Sequence, residues 1–376
     1  MPKRLPADTW NNLFYPPAGY NYFENSDRFD FEPDAAGFSW KNAWWLADAA
    51  LLSYVKDWNL VRATLVRAHF DDVRQVGSDP AKSTKGFFAS RSGRAPFAIM
   101  VFRGTDKDDP RNAVSDDDTF PVARDGYVVH RGFALALDQV WEAEVKPMLD
   151  DFLKAFSGAS IYFAGHSLGA ALATIAVTRF GGTNCALYTV GSPRVGDDRF
   201  TVAVLQKTNL VFRFVNSQDI VTQIPPEIPL HHYFRHVGNE KYIDRNAAVQ
   251  DHPSEFDKFV DMAQGIVAHD GTTALAEIGH PAEYFRRIRN TGPWVDPPPY
   301  IVGNHTPARY AIDIWNFYSA TSLNLALAFS STICSNWPSS TVQIGRQYTP
   351  VASIATCLTP CSFNPLTSPP RPANRE

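Results

Sequence analysis

The chain has little cysteine, no long apolar run and no excess of charge of either sign, and each shortage removes a class of protein. Of the four cysteines, Cys185 stands alone in an apolar run while Cys334, Cys357 and Cys361 fall near the end. That spacing lacks the paired, histidine-accompanied pattern of a metal site, so no metal and no cofactor are expected. No run approaches the roughly 18 to 20 apolar residues that a membrane span needs, so a soluble protein is expected. Met1-Pro2-Lys3-Arg4-Leu5-Pro6 is followed by polar and aromatic residues and by no apolar stretch, so no secretory signal is visible. Secretion by another route, or earlier removal of a signal, stays open, and the compartment is not assigned. A net charge of -4 gives no reason to expect nucleic acid or an acidic membrane as partner. What is present is 376 residues, 44% hydrophobic, enough to bury a full core as one large α/β domain or two small ones.

The most informative stretch runs from Ser160 to Ala173, where the apolar segment Ile161-Tyr162-Phe163-Ala164 meets Gly165-His166-Ser167-Leu168-Gly169 and turns into an alanine-rich run. It reads as a strand, a nucleophile and a helix. A serine hydroxyl is a weak nucleophile and must be exposed on a sharp turn where a histidine can reach it. Gly165 and Gly169 remove the Cβ atoms that would keep strand and helix apart. The Leu168 N–H then lies at a helix N-terminus, where a developing oxyanion is stabilised. The bare pattern also occurs as an ordinary Gly-rich turn; the flanking strand and small-residue helix separate the two readings.

Residues 1–39, polar, aromatic and punctuated by Pro and Gly, read as an ordered arm. Asn42 to Tyr54 has apolar residues at helical spacing. Ala63 to Phe70 reads as a strand, Gly86 to Ser90 and Pro96 to Phe102 as a hairpin and a central buried strand. That strand ends in Arg103-Gly104-Thr105-Asp106, at the edge where open α/β sheets place ligands. Lys107 to Ala123 is a charged loop whose Asp116-Asp117-Asp118 reads as solvated. A long amphipathic helix over roughly Ala134 to Phe156 follows, and Gly181-Gly182 is the expected cap of the helix after Ser167. Cys185 to Gly191 and Leu210 to Val215 are two more buried strands. This alternation implies a parallel sheet with helices on both faces.

In hydrolases built on such a sheet the nucleophile is followed first by an acid and then by a histidine. Asp219 stands just past the strand ending at Val215, on the required loop; the plain alternative is a loop Asp forming a local turn. The later histidines are His231, His232, His236, His252, His269, His280 and His305, and sequence logic alone does not choose among them. His231, His232 and His236 read as structural. His305, in a loop directly ahead of the apolar run from Ala311 to Tyr318, is preferred, with His280 as reserve.

Several segments together resemble the class 3, fungal-type triacylglycerol lipases. They are Phe102-Arg103-Gly104-Thr105, Val129-His130-Arg131-Gly132-Phe133, the Gly165–Gly169 elbow, Thr189-Val190-Gly191-Ser192-Pro193-Arg194-Val195-Gly196, Asp219-Ile220-Val221 with Pro225-Pro226, His236-Val237-Gly238 with Tyr242-Ile243, and His305 with Tyr310. The resemblance implies an α/β-hydrolase fold over residues 40–318. It also implies Ser167 as nucleophile, His305 as general base, Asp219 as its orienting carboxylate, and the Thr105 and Leu168 N–H groups as oxyanion hole. The implied activity is carboxyl-ester hydrolysis of acylglycerol-type lipids through an acyl-enzyme, with an ester substrate, transient contact with a lipid interface and no protein partner. Phospholipase A1, a feruloyl-type esterase, acyl transfer and a non-catalytic lipase-like binding module are the alternatives.

The chain departs from that family in three places. Where fungal members carry an apolar lid helix with an exposed tryptophan, Arg111 to Phe120 is polar and acidic, which predicts no strongly interfacial lid. Residues 251–303 form an insertion carrying Phe256, Phe259, Val260 and Met262 at helical spacing, Tyr284-Phe285 and Pro297-Pro298-Pro299; it reads equally as a cap over the acyl site or as helices packed on the sheet edge. Residues 319–376, rich in Ser, Thr and Pro, read as a tail of low periodicity.

Overall fold

The computed structural model describes residues 2–4, 15, 20–105, 121–217, 219–225, 234–269 and 304–335. Ser39 opens helix α1 (Trp40–Leu52), its hydroxyl accepting the Asn42 N–H at 3.2 Å. Asp57 caps α2 (Trp58–Arg67) in the same way, taking the Asn59 N–H at 2.9 Å. The strand expected over Ala63 to Phe70 is therefore the second half of a helix. Val61, Thr64 and Leu65, at helical spacing, are its buried residues, and β1 (Asp72–Val76) begins only afterwards.

The remaining strands are β2 (Gly86–Arg91), β3 (Phe97–Phe102), β4 (Pro121–Arg124), β5 (Tyr127–His130), β6 (Ser160–His166), β7 (Cys185–Val190), β8 (Val211–Asn216), β9 (Asn239–Ile243) and β10 (Val249–Asp251). Eight of them form one sheet in the order β1-β2-β3-β6-β7-β8-β9-β10, while β4 and β5 pair separately. From β3 to β9 the neighbours run parallel. The pairs β1–β2, β2–β3 and β9–β10 are antiparallel. This is the mostly parallel sheet of an α/β-hydrolase.

The central strands are apolar without interruption because both faces are covered. Along β3, Phe97, Ile99 and Val101 pack with α1, Phe31 of the N-terminal arm and Trp315, whereas Ala98, Met100 and Phe102 face the opposite core. That second core is closed by α3 (Arg131–Asp138), α4 (Lys146–Ala155), α5 (Leu168–Arg179) and α6 (Asp198–Lys207). The single amphipathic helix expected over 134–156 is interrupted by a π-helical turn at Trp141–Val145, where the Val145 N–H reaches Val140 O at 3.0 Å. Gly181 and Gly182 are not left-handed; α5 ends instead on Phe180 in extended conformation, its N–H held by Ala176 O.

Helix α7 (Glu255–His269) opens the 251–303 insertion with Phe256 and Phe259 exposed; residues 270–303 lie outside the described residues, and the cap reading with them. So do the polar segment Arg111 to Phe120, Asp116–Asp118, His280, Cys357 and Cys361. Helix α8 (Pro307–Ser335) runs on past Tyr318, where the sequence reading ended the domain. The added turns hold good helix formers such as Leu323, Leu325 and Ala326 and no proline before Pro338. The chain divides into two compact units, Met1–Leu327 and Ala328–Glu376. No helix among the described residues is long and apolar enough to cross a membrane.

Candidate active site

Four strand ends supply the site. β3 runs out at Phe102 ahead of Gly104 and Thr105, β6 at His166 ahead of Ser167, β7 at Val190 ahead of Gly191, and β8 at Asn216 ahead of Asp219. Register keeps these ends level, since Phe102 pairs with Gly165, His166 with Val190, and Val190 with Phe214.

Ser167 turns the chain from β6 into α5 with φ 59° and ψ -127°. A non-glycine residue held there costs on the order of 1–3 kcal/mol, and such strain persists only where the surroundings enforce it. Here the Ser167 N–H is held by Val190 O at 3.1 Å, and a Cβ on Gly165 would lie 2.4 Å from the Gly169 carbonyl carbon. The two glycines therefore set how tightly strand and helix close.

The structure brings Ser167, His305 and Asp219 together from segments far apart in sequence. The Ser167 hydroxyl donates to His305 Nε2 at 2.7 Å, and His305 Nδ1–H donates to Asp219 Oδ2 at 2.8 Å. All three are buried. Because a carboxylate oxygen only accepts, Asp219 fixes the proton on Nδ1 and leaves Nε2 as the acceptor for Ser167. Asp219 uses its two carboxylate oxygens differently. Its Oδ1 takes the Val221 N–H at 2.9 Å and caps the short 3₁₀ turn Ile220–Gln223, which leaves Oδ2 aimed at the histidine.

Two further residues complete this corner. Tyr310, one turn into α8, donates its hydroxyl to Asp219 Oδ2 at 2.6 Å and accepts the Asn216 N–H at 2.9 Å. Burial, and after it the Asp219 charge, push the phenol well above its usual range, so it stays a donor. Gly191 has φ 61°, and a Cβ there would lie 2.9 Å from Asp219 Oδ2 and 3.2 Å from His305 Cε1. A side chain would stand where acid and histidine meet. Neither role was legible as such: Tyr310 carried only the resemblance, and Gly191 looked like the end of a strand.

Of the oxyanion candidates, Leu168 begins α5, so its N–H belongs to the unsatisfied first turn of a helix. Thr105 lies just after Gly104, where an added Cβ would be 3.1 Å from Ser167 Cβ, which brings this segment against the elbow. The Thr105 hydroxyl is buried with no hydrogen-bond partner among the described residues. His236 lies elsewhere, its Nε2–H donating to Thr222 O at 2.8 Å, with burial first and then Arg213 and Arg194 holding its pKa well below the usual value. Among the described residues no group of three His, Cys, Asp or Glu side chains is placed to hold a metal ion.

A strained serine at a strand-to-helix elbow, with a histidine and an acid from later loops, defines a serine-hydrolase-like site on an α/β-hydrolase sheet. Residues 99–228 match the model of the lipase (class 3) family. The chain is 32% identical over 170 residues to a secreted mono- and diacylglycerol lipase 1 of Fusarium solani, covering 45% of this chain and 50% of that protein. It is 34% identical over 158 residues to a lipase of Rhizomucor miehei, covering 39% and 42%. The chain thus spans half or less of the length of these curated relatives. A solved structure of the Rhizomucor miehei triacylglyceride lipase aligns at 28% identity over 55% of this chain and 81% of that one, with a TM-score of 0.45.

Proposed function

We propose that this chain is a serine carboxyl-ester hydrolase acting on acylglycerol-type esters, with Ser167 as nucleophile, His305 as general base and Asp219 as its orienting carboxylate. The observation that carries the reading is the unbroken relay from Ser167 Oγ through His305 to Asp219 Oδ2, with links of 2.7 and 2.8 Å. Ser167 Oγ attacks the ester carbonyl carbon while its proton passes to His305 Nε2. Asp219 stabilises the imidazolium so formed, and Tyr310 holds the carboxylate in place. The carbonyl oxygen, now negative, is met by the N–H groups of Thr105 and Leu168, with the Thr105 hydroxyl as a further donor. Collapse expels the alcohol, which takes the proton from His305. Water then attacks the acyl-enzyme by the same route, returning Ser167 and releasing the acid. The class 3 match and the acylglycerol lipases among the relatives support glycerides as the ester class.

The test is hydrolysis of p-nitrophenyl esters and of emulsified mono-, di- and triglycerides by the wild type and Ser167→Ala, with labelling by a serine-directed phosphonate. Ser167→Ala is expected to lose at least about 10³-fold in kcat, and the phosphonate to mark Ser167 alone. An unlabelled Ser167 in folded protein, or a loss below about tenfold, sinks the assignment.

A further inference from the structure

The residue beside the proposed nucleophile is a buried histidine that the hydrolytic scheme does not use. His166 is fully buried, and each of its ring nitrogens has a partner. Nε2 faces the main-chain carbonyl oxygen of His305 in a short contact. A carbonyl only accepts, so Nε2 carries the proton. In the neutral ring Nδ1 is then a bare lone pair, and the Tyr54 hydroxyl donates to it at 2.7 Å.

Tyr54 is itself fixed. It stands just past the end of α1, its N–H bound to Leu51 O at 3.1 Å, and it is 1% exposed. Gly104 makes room for it, since a Cβ there would lie 2.2 Å from the Tyr54 hydroxyl and 2.6 Å from His166 O. Three segments therefore close on this one ring: the end of α1, the elbow after β6 and the loop that carries His305.

We propose that His166, braced by Tyr54, is a positioning residue that holds the main chain of His305 so that its ring meets Ser167. This rests on the hydrolase reading above. The imidazole of His305 is oriented from its Nδ1 side by Asp219, at the end of β8. Its backbone is held from the residue adjacent to Ser167, at the end of β6. The donor and the acceptor of the proton transfer are thus referenced to the same turn. A hydrogen-bonding residue at position 166 serves only if it donates to the carbonyl, and a histidine does so while its other nitrogen is tied to α1 through Tyr54.

The ring must also remain neutral. Its centroid lies 4.6 Å from that of His305, and a second positive charge there would oppose the imidazolium formed in catalysis. Burial first, and the neighbouring His305 second, hold the His166 pKa well below its usual value.

The experiment compares wild type, Tyr54→Phe, His166→Gln and His166→Leu by kcat and KM on a soluble p-nitrophenyl ester, by the rate of phosphonate labelling, and by thermal midpoint. Misplacing a reacting group by about 1 Å costs up to about 100-fold. His166→Leu should lose about that much in kcat and in labelling rate, with KM within about twofold. His166→Gln, whose amide can still donate to His305 O, should recover at least about tenfold of it. Tyr54→Phe should lose about five- to tenfold in kcat and in labelling rate together. A folded His166→Leu or Tyr54→Phe with kcat and labelling rate within about twofold of wild type overturns the proposal. So does a loss confined to KM, or a His166→Gln no better than His166→Leu. Where His166→Leu fails to fold, Tyr54→Phe and His166→Gln decide. Absence of labelling in the wild type is a different failure: it removes the hydrolase reading and the positioning role with it.

Discussion

The Tyr310 hydroxyl and the His305 imidazole donate to the same oxygen, Oδ2 of Asp219, at 2.6 and 2.8 Å. The carboxylate is held from α8 by a residue five positions beyond the histidine it binds, so carboxylate and imidazole are held as one unit.

Removing that hydroxyl tests the unit. Tyr310→Phe leaves the buried Asn216 N–H without its acceptor and takes one donor from Asp219. We expect a stability loss of about 1–3 kcal/mol, read by chemical denaturation. With it should come a fall in kcat of about three- to tenfold at nearly constant KM.

Asp219→Asn separates orientation from packing. The amide can still take the Val221 N–H, but an NH₂ directed at His305 favours the tautomer whose Nε2 carries the proton and cannot accept from Ser167. The expected fall in kcat is about 10³- to 10⁴-fold, with a thermal midpoint close to that of wild type. A fall below about tenfold would show that the carboxylate does not set the tautomer.

Gly191→Ala asks whether space at the end of β7 is needed for function. The added methyl strains a left-handed backbone and meets Asp219 Oδ2, Tyr310 and His305 at 2.9 to 3.2 Å. Activity should fall by at least about 100-fold. A fully active variant would mean that acid and histidine do not need this close approach.

Asp313, on α8, gives a pH signature. Burial pushes its carboxyl up to about 6 against the partial relief of Arg309, whose Nε lies 3.9 Å away. The folded state therefore binds this proton before the unfolded state does. Stability falls as pH rises from about 4 to 6, and the burden, on the order of 3 kcal/mol, is fully present at pH 7. Asp313→Asn should raise the unfolding free energy at pH 7 and lose that advantage near pH 4, measured by denaturant titration at several pH values. An advantage that did not change with pH would mean that the carboxyl is not the cause.

Much of this protein could be read from its residue order. Gly165–Gly169 after an apolar run fixes a strand, a turn and a helix, because only close-packed elements need glycines on both sides of a serine at the turn. The uninterrupted apolar strands required a sheet covered on both faces, and the position of Asp219 just past a strand end was legible. The helix at Trp58–Arg67 was misread because its exposed residues, among them Leu60 and Val66, are apolar and blur the period that Val61, Thr64 and Leu65 set.

The sequence already prefers His305, but only tertiary structure brings its ring against both Ser167 and Asp219. His305 is 138 residues from Ser167 and 86 from Asp219, and no local pattern encodes which distant loop will arrive. The same holds for Tyr54, Gly104, His166, Gly191 and Tyr310, whose roles exist only where separate strand ends and helix ends converge. Sequence determines the elbow because strand, turn and helix propensities act over a few residues. The relay that the elbow serves depends on packing across the whole sheet.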